Sequence, residues 1–473
     1  MKMRVILVTI VLMTTALRAQ TFRGTILGTV TDPSGAVVPG AKVTIKNVNT
    51  GLERTTQTSA DGSYAVTELP IGAYSVTVSQ SGFQTAITNS VPVDVAGERR
   101  VDVGLKTGQV SEKVEVSGEE LPQVETTSDT LGGVLTQDTV KDLPVNGRDY
   151  TKLIYLNPGV AGSPDQISDS PGSFGEFSMN GARGRSNNYL LDGTDMNDGY
   201  RNDPAINQAG VFGTPSAILP IDSISDMRVL SNFQPEYGRN GGAIVNIVTK
   251  SGTNAIHGGF FEYFRNDALD ARNYFDPTSA PKAPFHNNQF GGSLGGPIVK
   301  DKTFFYLDYE GQREGVGVVS LACVPTAAHI ATARANVLAA GGAISPVGTA
   351  FLNFFPHNAA NYLPGVTSND LGCFNAANQF APDYTAIAPS FNNLSSVIGK
   401  IDHSFNPSNN ISGRYFFGDS TQQFPLALNA SGGQLPGYDT VTPTRVQLVS
   451  ISYVTVVSPT KVNELRYGWN RFA

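Results

Sequence analysis

The stretch Asp226–Arg265 reads DMRVLSNFQPEYGRNGGAIVNIVTKSGTNAIHGGFFEYFR, and its reading decides the fold. Two kinds of strand meet in it with no helix between them. Ala243-Ile-Val-Asn-Ile-Val-Thr249 is a β-branched run of the sort that is buried on both faces. After the turn residues Lys250-Ser-Gly-Thr-Asn254 the texture changes to glycine alternating with aromatics, from Ile256 to Phe264. The junction reads as the boundary between a compact globular unit and a large barrel.

Strands of the second kind recur to the end of the chain. In Phe305-Tyr-Leu-Asp-Tyr-Glu310, Phe305, Leu307 and Tyr309 share one face and Tyr306, Asp308 and Glu310 the other. In Glu464–Asn470, Leu465, Tyr467 and Trp469 oppose Glu464, Arg466 and Asn470. Apolar outside and polar inside is the pattern of a membrane barrel, although a soluble sandwich alternates in the same way. The connections strengthen the barrel reading. Strands are expected near 255–265, 287–299, 304–314, 393–404, 411–419, 444–457 and 461–471. Their joins then alternate long and short, as outer loops and periplasmic turns do. Seven strands cannot close a barrel, and plugged barrels have about 22, so an amino-terminal fragment is expected.

Upstream, Lys2 and Arg4 precede an apolar core from Val5 to Leu17 and a cleavage position at Ala19, which predicts a signal peptide over 1–19. No later segment has the ~18 consecutive apolar residues of a spanning helix. Residues 20–107 predict a small β-sandwich. Its strands begin with Thr25–Val30, Lys42–Ile45, Ser63–Thr67 and Tyr74–Val78, separated by Asp32-Pro-Ser-Gly35, Asp61-Gly62 and Pro70-Ile-Gly72. A linker over 108–120 holds the alternating segment Glu112-Lys113-Val114-Glu115-Val116. It suits either a strand that a partner recognises by β-augmentation or the first strand of the next unit. Residues 121–254 form a mixed α/β unit with a helix expected over Asp149–Leu156, stopped by Asn157-Pro-Gly159.

The quoted junction, EYGRNGGAIVNIVTKSGTNAIHG, resembles that between plug and barrel in TonB-dependent outer-membrane transporters of the Oar-like group. GTVTDPSGAVVPGAKVTI and TSADGSYAVTELPIGAYSVTVSQSGF resemble the carboxypeptidase regulatory-like domain, which carries no peptidase chemistry. LPVNGRDYTKLIYLNPGV and SMNGARGRSNNYLLDGTDMNDG resemble an Oar-like plug. The resemblance implies a mainly β protein: a periplasmic β-sandwich, a plug at 121–254, and the first strands of an antiparallel transmembrane β-barrel at 255–473. It implies a location in the outer membrane, in contact with its lipid. It also implies an extracellular substrate and an inner-membrane TonB energy-coupling complex pulling near Glu112–Val116. A surface lipoprotein is a further partner of such receptors. The reading from another class is an adhesion or surface-structural protein without transport.

Composition and motifs narrow the rest. A net charge of −7 leaves no basic face for nucleic acid. No cofactor is called for. Cys323 and Cys373, the only cysteines, fall in the longest loop and read as one disulfide, against two unpaired thiols or a metal pair. Gly291-Gly-Ser-Leu-Gly295 matches G-x-S-x-G, but it continues as strand, so a nucleophilic Ser293 is not expected. Asp192-Gly-Thr-Asp-Met-Asn-Asp-Gly199 is rich in oxygen ligands, yet in neither register does it fit an EF-hand loop, and a turn-rich loop is expected. The five histidines are scattered, without a metal motif. Phe260, Phe261, Tyr263, Phe264 and Tyr274 are read as an interfacial aromatic girdle, against a substrate surface.

Overall fold

A computed structural model describes residues 22–110, 113–117, 131–162, 177–199, 202–207, 217–232, 237, 241–272, 282, 284–322, 324–353, 384–425, 439–458 and 461–473. The expected signal peptide, Glu112, Cys323, Cys373 and Tyr274 lie outside these residues.

The first unit has nine strands: β1 (Gly24–Thr31), β2 (Lys42–Asn47), β3 (Glu53–Gln57), β4 (Ser63–Leu69), β5 (Gly72–Ser79), β6 (Thr85–Val93), β7 (Glu98–Arg100), β8 (Val103–Gly104) and β9 (Lys113–Ser117). They form two sheets, β4-β1-β7 with β8 on β1, and β3-β2-β5-β6-β9. Burial alternates along β1 and β5, as period 2 requires. Ile26, Val43, Ile45, Val66, Tyr74, Val76 and Val91 from both sheets meet in one core. In the first turn Asp32 accepts from the backbone N–H of Ser34 (2.8 Å) and Ala36 (3.0 Å), which is the reason for an aspartate there.

The second, plug-like unit contains β10 (Leu131–Thr136), β11 (Val160–Ala161), β12 (Ser178–Met179), β13 (Asn188–Leu191), β14 (Thr194–Asp195), β15 (Ile224–Asn232) and β16 (Ile244–Thr249). Its main sheet runs β10-β15-β16-β13-β14, with β13 parallel to β16. Every residue of β16 is buried, in line with the continuous β-branched run. The helix expected at Asp149–Leu156 is a 3-10 turn over Tyr150–Leu156, capped by Asp149, which accepts from the Thr151 N–H. Seven residues give little α-helical cooperativity, and a 3-10 turn suits so short a piece. The short helix Gln137–Asp142 was not legible in the sequence.

The third unit is a single seven-stranded antiparallel sheet in chain order: β17 (His257–Asn266), β18 (Phe285–Val299), β19 (Thr303–Ala322), β20 (Tyr384–Asn406), β21 (Asn409–Pro425), β22 (Asp439–Ser458) and β23 (Lys461–Phe472). All seven expected strands are present, and long and short connections alternate as expected. The sheet is an incomplete barrel wall wrapped against the plug-like unit. Its outer ends run further than expected: β20 has 23 residues, where ~9–11 cross a bilayer, so the excess stands clear of the membrane. Two helices, Ala327–Ala339 and Pro346–Leu352, follow β19 in the long outer connection. No helix among the described residues is long and apolar enough to cross a membrane.

The alternation assigns the two faces of the wall. Leu307, Leu465, Tyr467 and Trp469 are exposed on the outer face, while Tyr306, Asp308 and Glu310 are buried inward. The proposed girdle splits by the same period of two. Phe260 and Phe264 point outward and are exposed, whereas Phe261 and Tyr263 turn to the plug side and meet the guanidinium of Arg148, Tyr263 while still exposed. Sequence grouping had overlooked that neighbours on a strand face opposite ways.

Candidate functional site

The place where this fold can do work is the seam between the plug-like unit and the inner face of the wall. Part of it is apolar. Ile398, Phe416, Val446 and Leu448 of the wall join the core built from Tyr150, Ile154, Leu191, Met227, Val245 and Ile247. The rest is held by buried charge.

The first charged cluster centres on Asp192. The chain reverses between β13 and β14 at Asp192 (φ 48°) and Gly193 (φ 71°), a turn that a short polar residue and a glycine tolerate. The Asp192 carboxylate accepts from the Thr249 N–H (2.9 Å) and hydroxyl (2.8 Å). From the wall, Lys400 Nζ stands 3.6 Å away and Arg414 Nε 3.3 Å. Lys400 on β20 and Arg414 on β21 are register partners, so antiparallel pairing delivers two cations to one point. Lys400 also donates to the Thr249 carbonyl (3.0 Å), and Arg414 to the Thr194 hydroxyl (3.2 Å). Burial alone would raise the Asp192 pKa. Lys400, Arg414 and the two Thr249 bonds outweigh it and hold the carboxyl below its ordinary value.

The second cluster centres on Arg148, at the end of the turn Asn146–Arg148. Its guanidinium donates to Asp222 (2.7 Å) of the same unit and to Glu310 (3.2 Å) of β19. Gln289 on β18 donates to the same Glu310 oxygen (2.7 Å). Phe261 of β17 stacks on the guanidinium, with its centroid at 3.9 Å from Cζ. Tyr306 of β19 donates to the Asp222 carbonyl (2.8 Å). The cluster around this arginine thus ties the plug-like unit to β17 and β19 directly and engages β18 through Gln289. A third tie comes from β23, where Arg466 donates to the Gly193 carbonyl (2.5 Å) and Asn470 to the Asn197 carbonyl (3.2 Å).

The sandwich is docked on the same assembly. Arg228 of β15 is 2% exposed and donates to the Ala96 carbonyl (2.8 Å) in the loop after β6. The Asn254 N–H donates to the Asn49 carbonyl (3.0 Å). Asn254 and Asp301 exchange two further bonds at the rim of the wall. Gly252 is required there, because a Cβ would stand 2.3 Å from the Phe305 carbonyl oxygen. Burial and the nearby Asp94 push the Asp226 carboxyl up to about 7, against a smaller opposing effect of Ser225, so this seam carries a carboxyl that titrates near neutral pH. A cavity of about 810 Å³ lies where the three units meet, lined in part by Asn49, Lys250, Tyr306, Lys400 and His403.

The residues singled out in the sequence are found as follows. Lys113–Val116 form most of β9, in parallel pairing with β6 of the sandwich. Ser293 stands in mid-strand opposite Gly259 and Asp308, with no nucleophile turn. The oxygen-rich loop is the β13–β14 turn and supplies Asp192 to the charged cluster. Among the described residues no group of His, Cys, Asp and Glu could hold a metal. Arg148, Glu310, Lys400 and Arg414 were missed. For Glu310, Lys400 and Arg414 the one local signal is a charge on the inward face of a wall strand, whereas Arg148 lies in a turn of the plug-like unit.

Residues 248–473 match the outer membrane beta barrel domain family, and residues 25–106 the carboxypeptidase regulatory-like domain family. The chain is 29% identical over 301 residues to the TonB-dependent transporter Oar of Myxococcus xanthus, which covers 60% of this chain and 26% of that relative. The chain is similar to the TonB-dependent outer-membrane transporters, in their Oar-like group. This is a non-enzymatic family of the outer membrane. Among solved structures, the outer-membrane transporter YddB of Escherichia coli aligns at 14% identity and a TM-score of 0.43, over 72% of this chain and 38% of that one. The ferric enterobactin receptor PfeA of Pseudomonas aeruginosa aligns at 15% identity and a TM-score of 0.39, over 68% and 38%. The chain spans about a quarter of the length of its relative Oar.

Proposed function

We propose that this chain supplies the periplasmic sandwich, the plug (121–254) and the first wall strands of a ligand-gated importer. In this reading the inner-membrane TonB complex pulls on the segment Glu112–Val116, and the plug rearranges to admit an extracellular ligand. The observation that carries it is the polar seam: Asp192, Arg148 and Arg466 join plug and wall through ion pairs and hydrogen bonds that water can replace, beside a limited apolar contact. A seam of that kind parts at lower cost than a wholly apolar core, whose exposure to water has no compensation.

Replacing Val114 and Val116 by proline removes two ladder N–H groups from the segment and spoils it as a strand. In the whole protein this should abolish energy-dependent accumulation while surface binding persists. The test uses a labelled panel of ferric chelates, cobalamin, glycans and peptides, with and without a protonophore. Uptake unchanged by the prolines would place coupling elsewhere. Binding without any protonophore-sensitive uptake would favour the adhesion reading.

A further inference from the structure

The sandwich reaches the seam between plug-like unit and wall through one side chain. Phe22, two residues before β1 and 6% exposed, lies where the three units meet. It packs with Val248 of β16 and with Val95 of its own unit. From the wall, the Arg466 guanidinium lies over its ring, with Cζ 5.3 Å from the centroid. The same guanidinium donates to the Gly193 carbonyl of the plug-like unit. A Cβ on Gly193 would stand 2.6 Å from Arg466 Nη1 and 2.7 Å from Phe22 Cδ1, so only glycine leaves room for both. Phe22 is thus wedged against plug and wall at the turn that supplies Asp192.

The rest of the docking face is built to part. Arg228 and Asn246 are register partners on β15 and β16, and Val248 shares their face by the period of two. Arg228 holds the Ala96 carbonyl of the sandwich, and Val248 holds Phe22 and Val95. Between them stands Asn246, 1% exposed, and among the described residues neither of its amide atoms has a hydrogen-bond partner. A buried, unpaired amide opposes the docking that buries it, and water satisfies it once the sandwich leaves.

We propose that the sandwich is a latch with Phe22 as its bolt: docked, it pins the plug-like unit to the wall, and undocking it releases that unit. Undocking withdraws the ring from between Gly193 and Arg466, parts Ala96 from Arg228 and hydrates Asn246. The proposal deepens the importer reading, in which the first work done on the plug is then the undocking of the sandwich. Its test reads mobility alone, so it can fail while import stands, and import can fail while it stands.

The test follows amide hydrogen exchange in the whole protein in detergent. The Asn254 N–H, which donates to the Asn49 carbonyl of the sandwich, reports docking, and β13 and β14 report the hold on the plug-like unit. Phe22→Ala should speed exchange about tenfold at both places, while β2 and β5 of the sandwich and β19–β21 of the wall keep their protection. Asn246→Leu, similar in volume but without the unpaired amide, should slow exchange at both places. Faster exchange at Asn254 with β13 and β14 unchanged would overturn the proposal, since undocking would then release nothing. No change at either place in Phe22→Ala would overturn it too. If Phe22→Ala unfolds the sandwich itself, the Asn246→Leu variant decides, and unchanged or faster exchange at Asn254 in that variant would overturn the latch.

Discussion

Asp192→Ala should lower the stability of the folded chain by about 3–5 kcal/mol, the usual effect of removing one member of a buried charge set. Lys400 and Arg414 are 6% and 4% exposed, so neither can reach water without moving the strand that carries it. With the carboxylate gone, two like charges face each other on paired strands, and the Thr249 N–H and hydroxyl lose their acceptor. The expected result is an earlier thermal transition in detergent, reported by the near-ultraviolet signal of the aromatic-rich core. Combining Asp192→Ala with Lys400→Met and Arg414→Met should recover most of the loss, because the removed charges no longer need compensation. A single variant as stable as the parent would show that water already reaches the cluster.

Arg148→Ala should be of similar size, about 3–5 kcal/mol, and should act chiefly on the attachment of the plug to the wall. The substitution leaves Glu310, fully buried, with Gln289 as its one remaining donor, and removes the cation that stacks on Phe261. Asp222 loses its partner as well. Limited proteolysis should then cut the plug faster while the wall stays resistant, since β17–β23 keep their own ladder. Arg148→Lys should rescue only part of the loss, as an ammonium does not reproduce the planar fork that reaches Asp222 and Glu310 together. Equal protection of plug and wall in Arg148→Ala would contradict the role given to this residue.

The architecture was legible because its causes are local. Alternation in Phe305–Glu310 and Glu464–Asn470 assigned the correct face to every residue, and the β-branched run before Lys250 marked the fully buried strand of the plug. Pro and Gly signals located the sandwich turns. The outer ends of β19 and β20 were not legible, because Gly315–Ala322 lacks the polar alternation that marks a strand facing a plug. The charged seam was not legible for a different reason. Arg148 and Glu310 are 162 positions apart and Arg414 and Thr194 are 220, so only the folded wall brings them together. The loop at Asp192 drew notice for its oxygen atoms, and its actual partners are two wall cations contributed by strands far along the chain. The segment at Lys113–Val116 reads as either a strand for a partner or the first strand of the next unit, and the sheet it joins is that of the preceding sandwich.

The central claim, that the plug must move against the wall for ligand to pass, is tested most directly by locking the two together. Thr194 on β14 and Gly468 on β23 suit this, because a Cβ on Gly468 would stand 3.2 Å from that of Thr194, within a few tenths of an ångström of disulfide spacing. In the whole protein carrying Thr194→Cys and Gly468→Cys, oxidation should leave ligand binding at the surface unchanged and cut protonophore-sensitive uptake by at least about tenfold, with recovery on reduction. Full uptake by a completely cross-linked protein would contradict the account, since ligand would then pass while plug and wall remain joined.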